Sequence, residues 1–291
     1  MLNLHSYTDE GGHEDEPNRL YLGLAGFVAP AGNWDVFSAE WLDVLDKAGL
    51  KEPFTMKHFA HFKGQFANWN ESSRQTLMAR LIEIIRATNA TPIGAVISLS
   101  DYQTLTASQQ AALREPFYVV FQFCTRIAAI EATIEPPEET VAMTYAYNSE
   151  YGVTFAGKAE QLWHKIKSKF QHGSRMRSYA CGTPLELPQL QAADLLAYEL
   201  TRDFESIRKR PNLGMRWPLK QILRMCKIPK PQIMFFDRKE LFRVIRGNSC
   251  NAKFSDQTGI EEIDDTQVAT AQDFMAKWLT ERGEYVNEWP Q

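Results

Sequence analysis

Two short acidic segments in this chain carry the residue types that a divalent cation needs. The first is Tyr7-Thr8-Asp9-Glu10-Gly11-Gly12, near the start. The second is Leu190-Gln191-Ala192-Ala193-Asp194-Leu195-Leu196, far downstream. The first reads as a strand running into a glycine turn, the second as a helix. An acid at the end of an early strand and an acid on a late helix can be folded onto one hard cation, which prefers oxygen ligands. Side chains alternate along a strand, so Asp9 shares a face with Tyr7 and His5 while Glu10 points the other way. Asp9 is therefore the expected primary ligand, with Glu10 in support or turned inward by the glycine turn. On the helix, Gln191, Asp194 and Tyr198 share a face. A carboxylate in the apolar company of Leu190, Ala193, Leu195 and Leu196 needs a cation or a donor. A salt bridge to Arg202 is the plainer alternative.

The elements that must place these acids follow from periodicity. Residues 2–9 and 19–29 read as two strands joined through the polar turn 11–18. Trp34, Phe37, Trp41, Leu42 and Leu45 recur at helical spacing up to Gly49. Residues 52–70 look irregular and contain Met56-Lys57-His58-Phe59. A helix follows from Asn70 through Ile85, then a β-rich run over 91–99 and a long apolar helix over 113–134 that Pro136-Pro137 stops. Residues 141–147 form the next strand, 160–170 an amphipathic helix and 175–181 an extended piece. Pro188 suits the first turn of a helix reaching about Phe204. The remainder looks helical and loop-rich. Strands alternating with long helices make an α/β layered pattern. No GxGxxG or GxxxxGK[ST] opens a helix, so nucleotide-binding loops have no support.

The chain has 291 residues, 44% hydrophobic and 23% charged, with a net charge of -4. This is an ordinary composition with ample material for a core. Charge is unevenly spread: residues 202–246 hold thirteen Lys/Arg against four acids, and residues 249–291 hold nine acids against three bases. Such a basic block suits an anionic ligand, or is simply a solvated face. The four cysteines form no CxxC pair, which argues against structural zinc. No leader segment is visible at the start and no apolar run approaches the ~20 residues of a bilayer span. A reduced, cytoplasmic protein with no membrane association is the expectation.

The two acidic segments resemble the Tyr-x-Asp-Glu-Ser-Gly opening and the Leu-Gln-x-Ala-Asp closing motif of the prokaryotic domain of unknown function 3800 family. Met56-Lys57-His58-Phe59 sits about where that family carries a short His-containing motif. The resemblance covers roughly residues 3–205. It implies an RNase H-like mixed sheet flanked by helices over residues 1–205, leaving 206–291 as a helical, basic-then-acidic extension packed on it. It also implies a metal-dependent, nuclease-like site, with Asp9 and Asp194 as ligands and Glu10 and Gln191 as their motif neighbours. RNase H-like enzymes usually add an acid after the strand beside the first. Here that position is Asn148, which can ligate only through its carbonyl, and Glu150 is the nearest substitute. The implied metal set is therefore Asp9, Asn148, Glu150 and Asp194, with Asp9, Glu10, Glu150 and Asp194 as catalytic acids. Such an oxygen-rich site suits Mg²⁺ or Mn²⁺. Two cations about 4 Å apart would clamp a phosphodiester, and fewer than three acids would hold one cation weakly.

The substrate-binding set is Lys57, His58, Gln191, Lys169, Arg175 and Arg177. Lys165, Lys167, Lys169, Arg175 and Arg177 fall in a stretch free of acids, and Arg208, Lys209, Arg210, Arg216 and Lys220 follow the Asp194 helix. Positive charge with interleaved aromatics is what a nucleic-acid backbone wants. The leading reading is a divalent-metal-dependent nuclease or phosphodiesterase acting on nucleic acid, DNA or RNA. The alternative is a catalytically inactive RNase H-like module that binds nucleic acid or a protein partner, which Asn148 favours. A small-molecule hydrolase using the same carboxylates is a third.

Overall fold

The run Tyr21–Ala29 is apolar at nearly every position, and so is Ile93–Ile97; a strand of that kind must be covered on both faces. The structure, a computed structural model, describes residues 3–12, 20–134, 139–210, 214–224 and 232–251. In chain order the elements are β1 (Asn3–Gly11), β2 (Tyr21–Pro30), α1 (Ala31–Lys47), α2 (Met56–Ala60), α3 (Glu71–Ala87), β3 (Thr91–Ser98), α4 (Leu99–Gln103), α5 (Ala107–Leu113), α6 (Pro116–Ile134), β4 (Thr140–Ala146), α7 (Lys158–Lys169), β5 (Met176–Gly182), α8 (Pro188–Lys209), α9 (Trp217–Arg224), β6 (Gln232–Phe236) and α10 (Arg238–Asn251).

The six strands form one sheet in the order β5-β4-β1-β2-β3-β6. β2 runs antiparallel to both its neighbours. β4 is parallel to β1 and to β5, and β6 is parallel to β3. An antiparallel β1–β2–β3 meander with β4 and β5 added parallel beside β1 is an RNase H-like mixed sheet flanked by helices. The C-terminal ends of β1, β4 and β5 therefore open on one edge, the place where open α/β sheets bind ligands.

Each face carries its own core. On one side Tyr7, Phe27 and Val96 pack under Trp34, Phe37 and Trp41 of α1, Leu77 and Leu81 of α3, and Leu196 and Leu200 of α8. On the other, Leu24, Ile97, Met143 and Tyr145 pack under Phe117, Phe121 and Ile127 of α6, and Leu162, Trp163 and Ile166 of α7. The inward residues of α1, Trp34, Phe37, Trp41 and Leu45, recur at helical spacing. Asn70 starts α3 by accepting the Ser73 N–H at 2.8 Å, a cap worth about 1 kcal/mol.

Three departures from the sequence-based reading have physical causes. Residues 52–70 are not wholly irregular: they hold the one-turn helix α2 and a short 3-10 turn over Gly64–Phe66. The long apolar helix begins at Pro116, because Arg114 takes a left-handed conformation (φ 65°) that separates it from α5. The C-terminal extension is not all helix, since Gln232–Phe236 adds β6 to the sheet edge by pairing with β3. Five residues are too few to show a period against flanking prolines. The acidic stretch beyond residue 251, Pro136-Pro137 and most of the β1–β2 turn lie outside the described residues.

α8 reaches the sheet because glycines clear its path. A Cβ on Gly11 would stand 2.3 Å from the Ala197 carbonyl oxygen, and one on Gly23 would stand 2.8 Å from Thr201 Cγ2. The helix thus lies directly on the ends of β1 and β2, closer than any side chain would permit.

Candidate active site

That close seat decides where the second acid goes. Ala197 lies against Gly11, and Asp194 is one turn back on α8, toward Asp9 two residues back on β1. The two acids therefore come near each other at the C-terminal edge of the sheet, close enough for the Asp194 charge to act on Asp9. Burial, then the neighbouring charges of Asp194 and Glu10, hold the Asp9 carboxyl well above the usual carboxylate range. Burial lifts Asp194 to about 6, against the opposing pull of a backbone N–H. Like charges kept this near each other in a desolvated place are costly unless a cation joins them.

Each carboxyl has one oxygen fixed by backbone. Asp9 Oδ1 accepts the Glu10 N–H at 2.7 Å. Asp194 Oδ2 accepts the Met56 N–H at 2.7 Å, which caps the start of α2. Asp9 Oδ2 and Asp194 Oδ1 accept no hydrogen bond among the described residues. The Met56 contact was not legible in the sequence, because a backbone donor leaves no residue-type signal.

Gln191 is spent on structure rather than on a substrate. Its Oε1 accepts from Trp41 Nε1 at 2.9 Å and from the Phe54 N–H at 3.0 Å, and its Nε2 donates to the Pro184 carbonyl at 2.8 Å. Gln191 and Asp194, one turn apart, thus grip alternate N–H groups of the extended piece before α2. Arg74 grips the far end of α2, donating to the Ala60 carbonyl at 2.9 Å. Lys57 and His58 consequently lie on a short helix tethered at both ends, with its N-terminus on Asp194. His58 is exposed, its ring packed against Gly64.

The remaining candidates divide between the two edges of the sheet. Asn148 joins the acids: its Nδ2 donates to Glu10 Oε1 at 2.5 Å. Its Oδ1 accepts the Glu150 and Tyr151 N–H groups at 2.9 and 3.2 Å. Asn148 thus donates to the acidic cluster while its carbonyl oxygen serves the loop N–H groups. Glu150 is exposed on the turn beyond, and its charge is not among those acting on Asp9. Arg177 lies near His5, whose pKa burial and then Arg177 lower; that is four residues back along β1 from Asp9, about 13 Å. Arg175 donates to the Glu139 carbonyl at 3.2 Å, and Lys169 ends α7. These three bases flank the N-terminal edge of the sheet, away from the acids. Arg216 forms a bidentate pair with buried Glu199, at 2.7 and 3.0 Å, so it is not offered to phosphate. A cavity of about 840 Å³ lies between α1 and the start of α3, lined by Lys47, Trp69, Ser73 and Arg80. Its acid, Asp43, is paired with Lys47 at 2.6 Å, so the acidic chemistry lies at the sheet edge instead.

Among the described residues no three His, Cys, Asp or Glu side chains converge into a ready metal cluster. Two open carboxylate oxygens with raised pKa values still suit a single hard cation completed by water or substrate oxygens.

Among the described residues no helix is long and apolar enough to cross a membrane. No family model matches the chain, and no curated protein matches it. Among solved structures, the crystal structure of Bst-RNase HIII in complex with Mn²⁺ aligns with 12% identity and a TM-score of 0.35, over 83% of this chain and 66% of that one. The chain thus spans just under two thirds of that neighbour's length, and at that TM-score the likeness adds no weight to the site.

Proposed function

We propose that the chain is a divalent-metal-dependent phosphodiesterase acting on nucleic acid, and a member of the domain of unknown function 3800 family that its motifs resemble. The observation that carries this reading is the Asp9–Asp194 pair: two carboxyls of one sign, desolvated together, each with one oxygen pinned and one open. Asp9 Oδ2 and Asp194 Oδ1 would hold one Mg²⁺ or Mn²⁺. When bound, the cation supplies Lewis-acid polarisation of a phosphoryl oxygen. The Glu10 and Met56 N–H groups fix the two carboxyls in orientation, so little rearrangement is needed on loading. Lys57 and His58 lie on α2, whose first N–H rests on Asp194, and would be the bases that meet substrate phosphate. Cys124 and Cys181 are free thiols, as suits a protein of the reducing cytoplasm.

The test is cleavage of labelled single-stranded and duplex DNA and RNA with Mn²⁺, with Mg²⁺ and with EDTA, beside a simple phosphodiester. Cleavage and a Mn²⁺-induced rise in thermal stability should both appear, and both should vanish in Asp9→Asn and Asp194→Asn. The rise corresponds to about 2.7 kcal/mol at a hundredfold excess over Kd. A parent protein indifferent to Mn²⁺ would end this reading. The Asn148–Glu10 hydrogen bond favours a second reading, a nucleic-acid-binding module without catalysis; binding and a Mn²⁺ shift with no cleavage would select it.

A further inference from the structure

The edge of the sheet that holds the acids also holds three large apolar side chains in water. Tyr147 is 54% exposed, Phe155 72% and Leu185 76%. Tyr147 directly follows β4, and its N–H donates to the Gly182 carbonyl at the end of β5 at 2.8 Å. Phe155 lies on the β4–α7 loop, and Leu185 on the turn between β5 and α8. Asn148, beside Tyr147, ties this corner to Glu10.

Single exposed apolar residues are common and need no explanation. Phe155 differs because the backbone that carries it is fixed. Asn148 and Val153 close the loop with reciprocal backbone hydrogen bonds of 3.1 and 2.8 Å. Tyr151 stacks on Phe117 of α6, centroids 4.4 Å apart and planes 6° from parallel. The Tyr118 hydroxyl donates to the Tyr151 carbonyl at 3.1 Å. The Ala156 N–H donates to the Glu160 carboxylate. Ala156 itself sits at φ 58°, a left-handed conformation unusual for alanine. Strain of this kind persists only where the surroundings impose it. A ring raised into water at the tip of an anchored, strained loop is a presented surface, and its rigidity lowers the ordering cost of binding.

We infer that Phe155, with Tyr147 nearer the acids, is a stacking platform for unpaired nucleobases, so that the site takes a single-stranded nucleic acid or a single-stranded end. This rests on the phosphodiester reading above. Every base offers a π-face to an aromatic ring, whereas a duplex keeps those faces covered by its own neighbours. Lys158, at the start of α7 beyond the same loop, supplies charge for the backbone. Its ammonium is 3.8 Å from the Glu115 carboxylate, both side chains well exposed. A pair so solvated is weak and exchangeable for phosphate.

The experiment measures binding of the full chain to fluorescent oligothymidylate, oligouridylate and a short duplex by anisotropy, in EDTA to prevent cleavage. Phe155→Ala should weaken single-strand binding roughly 5- to 150-fold, the equivalent of about 1–3 kcal/mol for one stacked base. Duplex binding and thermal stability should not change, and Phe155→Trp should restore affinity. A 2-aminopurine base in the oligonucleotide should be quenched by the parent and not by Phe155→Ala. Binding of either sugar supports the platform and says which it takes. Unchanged single-strand affinity in Phe155→Ala, or an equal loss for duplex, overturns the inference. If Mn²⁺-dependent cleavage persists in that case, the inference alone fails; a parent that binds no oligonucleotide fails it together with the reading beneath it.

Discussion

α8 carries two acidic sites, buried Glu199 with Asp203 and half-buried Asp194, and the fold treats them in opposite ways. Glu199 is fully enclosed and meets a bidentate Arg216 at 2.7 and 3.0 Å, while Asp203 accepts the Arg216 N–H at 2.9 Å. The Glu199 charge, first among several causes, pushes Arg216 above its ordinary pKa. Asp194, little more than a turn away, has a backbone N–H for one oxygen and another acid, Asp9, for company. Glu199 meets its counter-charge within the chain; Asp194 meets another acid. Among the described residues no arginine pairs with Asp194, and it is here that the proposed cation would bind.

The largest effect expected from breaking this contrast is on the neutralised side. Arg216→Ala leaves Glu199 buried and unpaired, and urea denaturation should show a loss of about 3–5 kcal/mol, with Mn²⁺ still raising the melting temperature of what remains folded.

The unneutralised side should behave in reverse. Asp194→Asn keeps an acceptor for the Met56 N–H and removes a charge, so in EDTA it should stabilise the protein above pH 6. The folded-state pKa of Asp194 is raised to about 6 from 3.8. Its contribution to stability is therefore present below about pH 4 and lost as pH rises through 6. The advantage of the Asn variant should be on the order of 1–3 kcal/mol at pH 7.5 and should fade to nothing near pH 4. An advantage that does not depend on pH would show that Asp194 is not held as described.

The smallest effect marks the baseline. Lys47 and Asp43 pair at 2.6 Å with both side chains mostly exposed. Lys47→Ala should change stability by under about 1 kcal/mol and leave Mn²⁺ binding alone; a larger cost would give the α1–α3 cavity a structural weight that its exposure does not suggest.

The acids themselves were legible because they stand in patterned segments. Alternation placed Asp9 on the face of Tyr7, and the α8 stripe placed Asp194 on an inward edge. The supporting cast was less legible for a common reason: its partners lie far off in sequence. Glu10 meets Asn148 only because Thr8 is in register with Tyr145 across β1 and β4. Gln191 looked like a substrate contact by its neighbours in the motif, yet Trp41 and Phe54 consume it. Lys169, Arg175 and Arg177 looked like a phosphate groove in one dimension. In three they border the opposite edge, because β5 runs parallel to β4 and begins where β1 begins.

Sequence alone determined most of the local things: the longer strands and helices, their alternation into an α/β layer, and the two acids at a strand end and on a buried helix. Those follow from periods of two and 3.6 residues, which any short window reveals. Tertiary structure alone decided that β6 completes the sheet and that glycines at positions 11 and 23 let α8 down onto β1 and β2. It also decided which charges are cancelled and which are left open. Register, close packing and desolvation are properties of pairs of segments, and no segment carries them by itself.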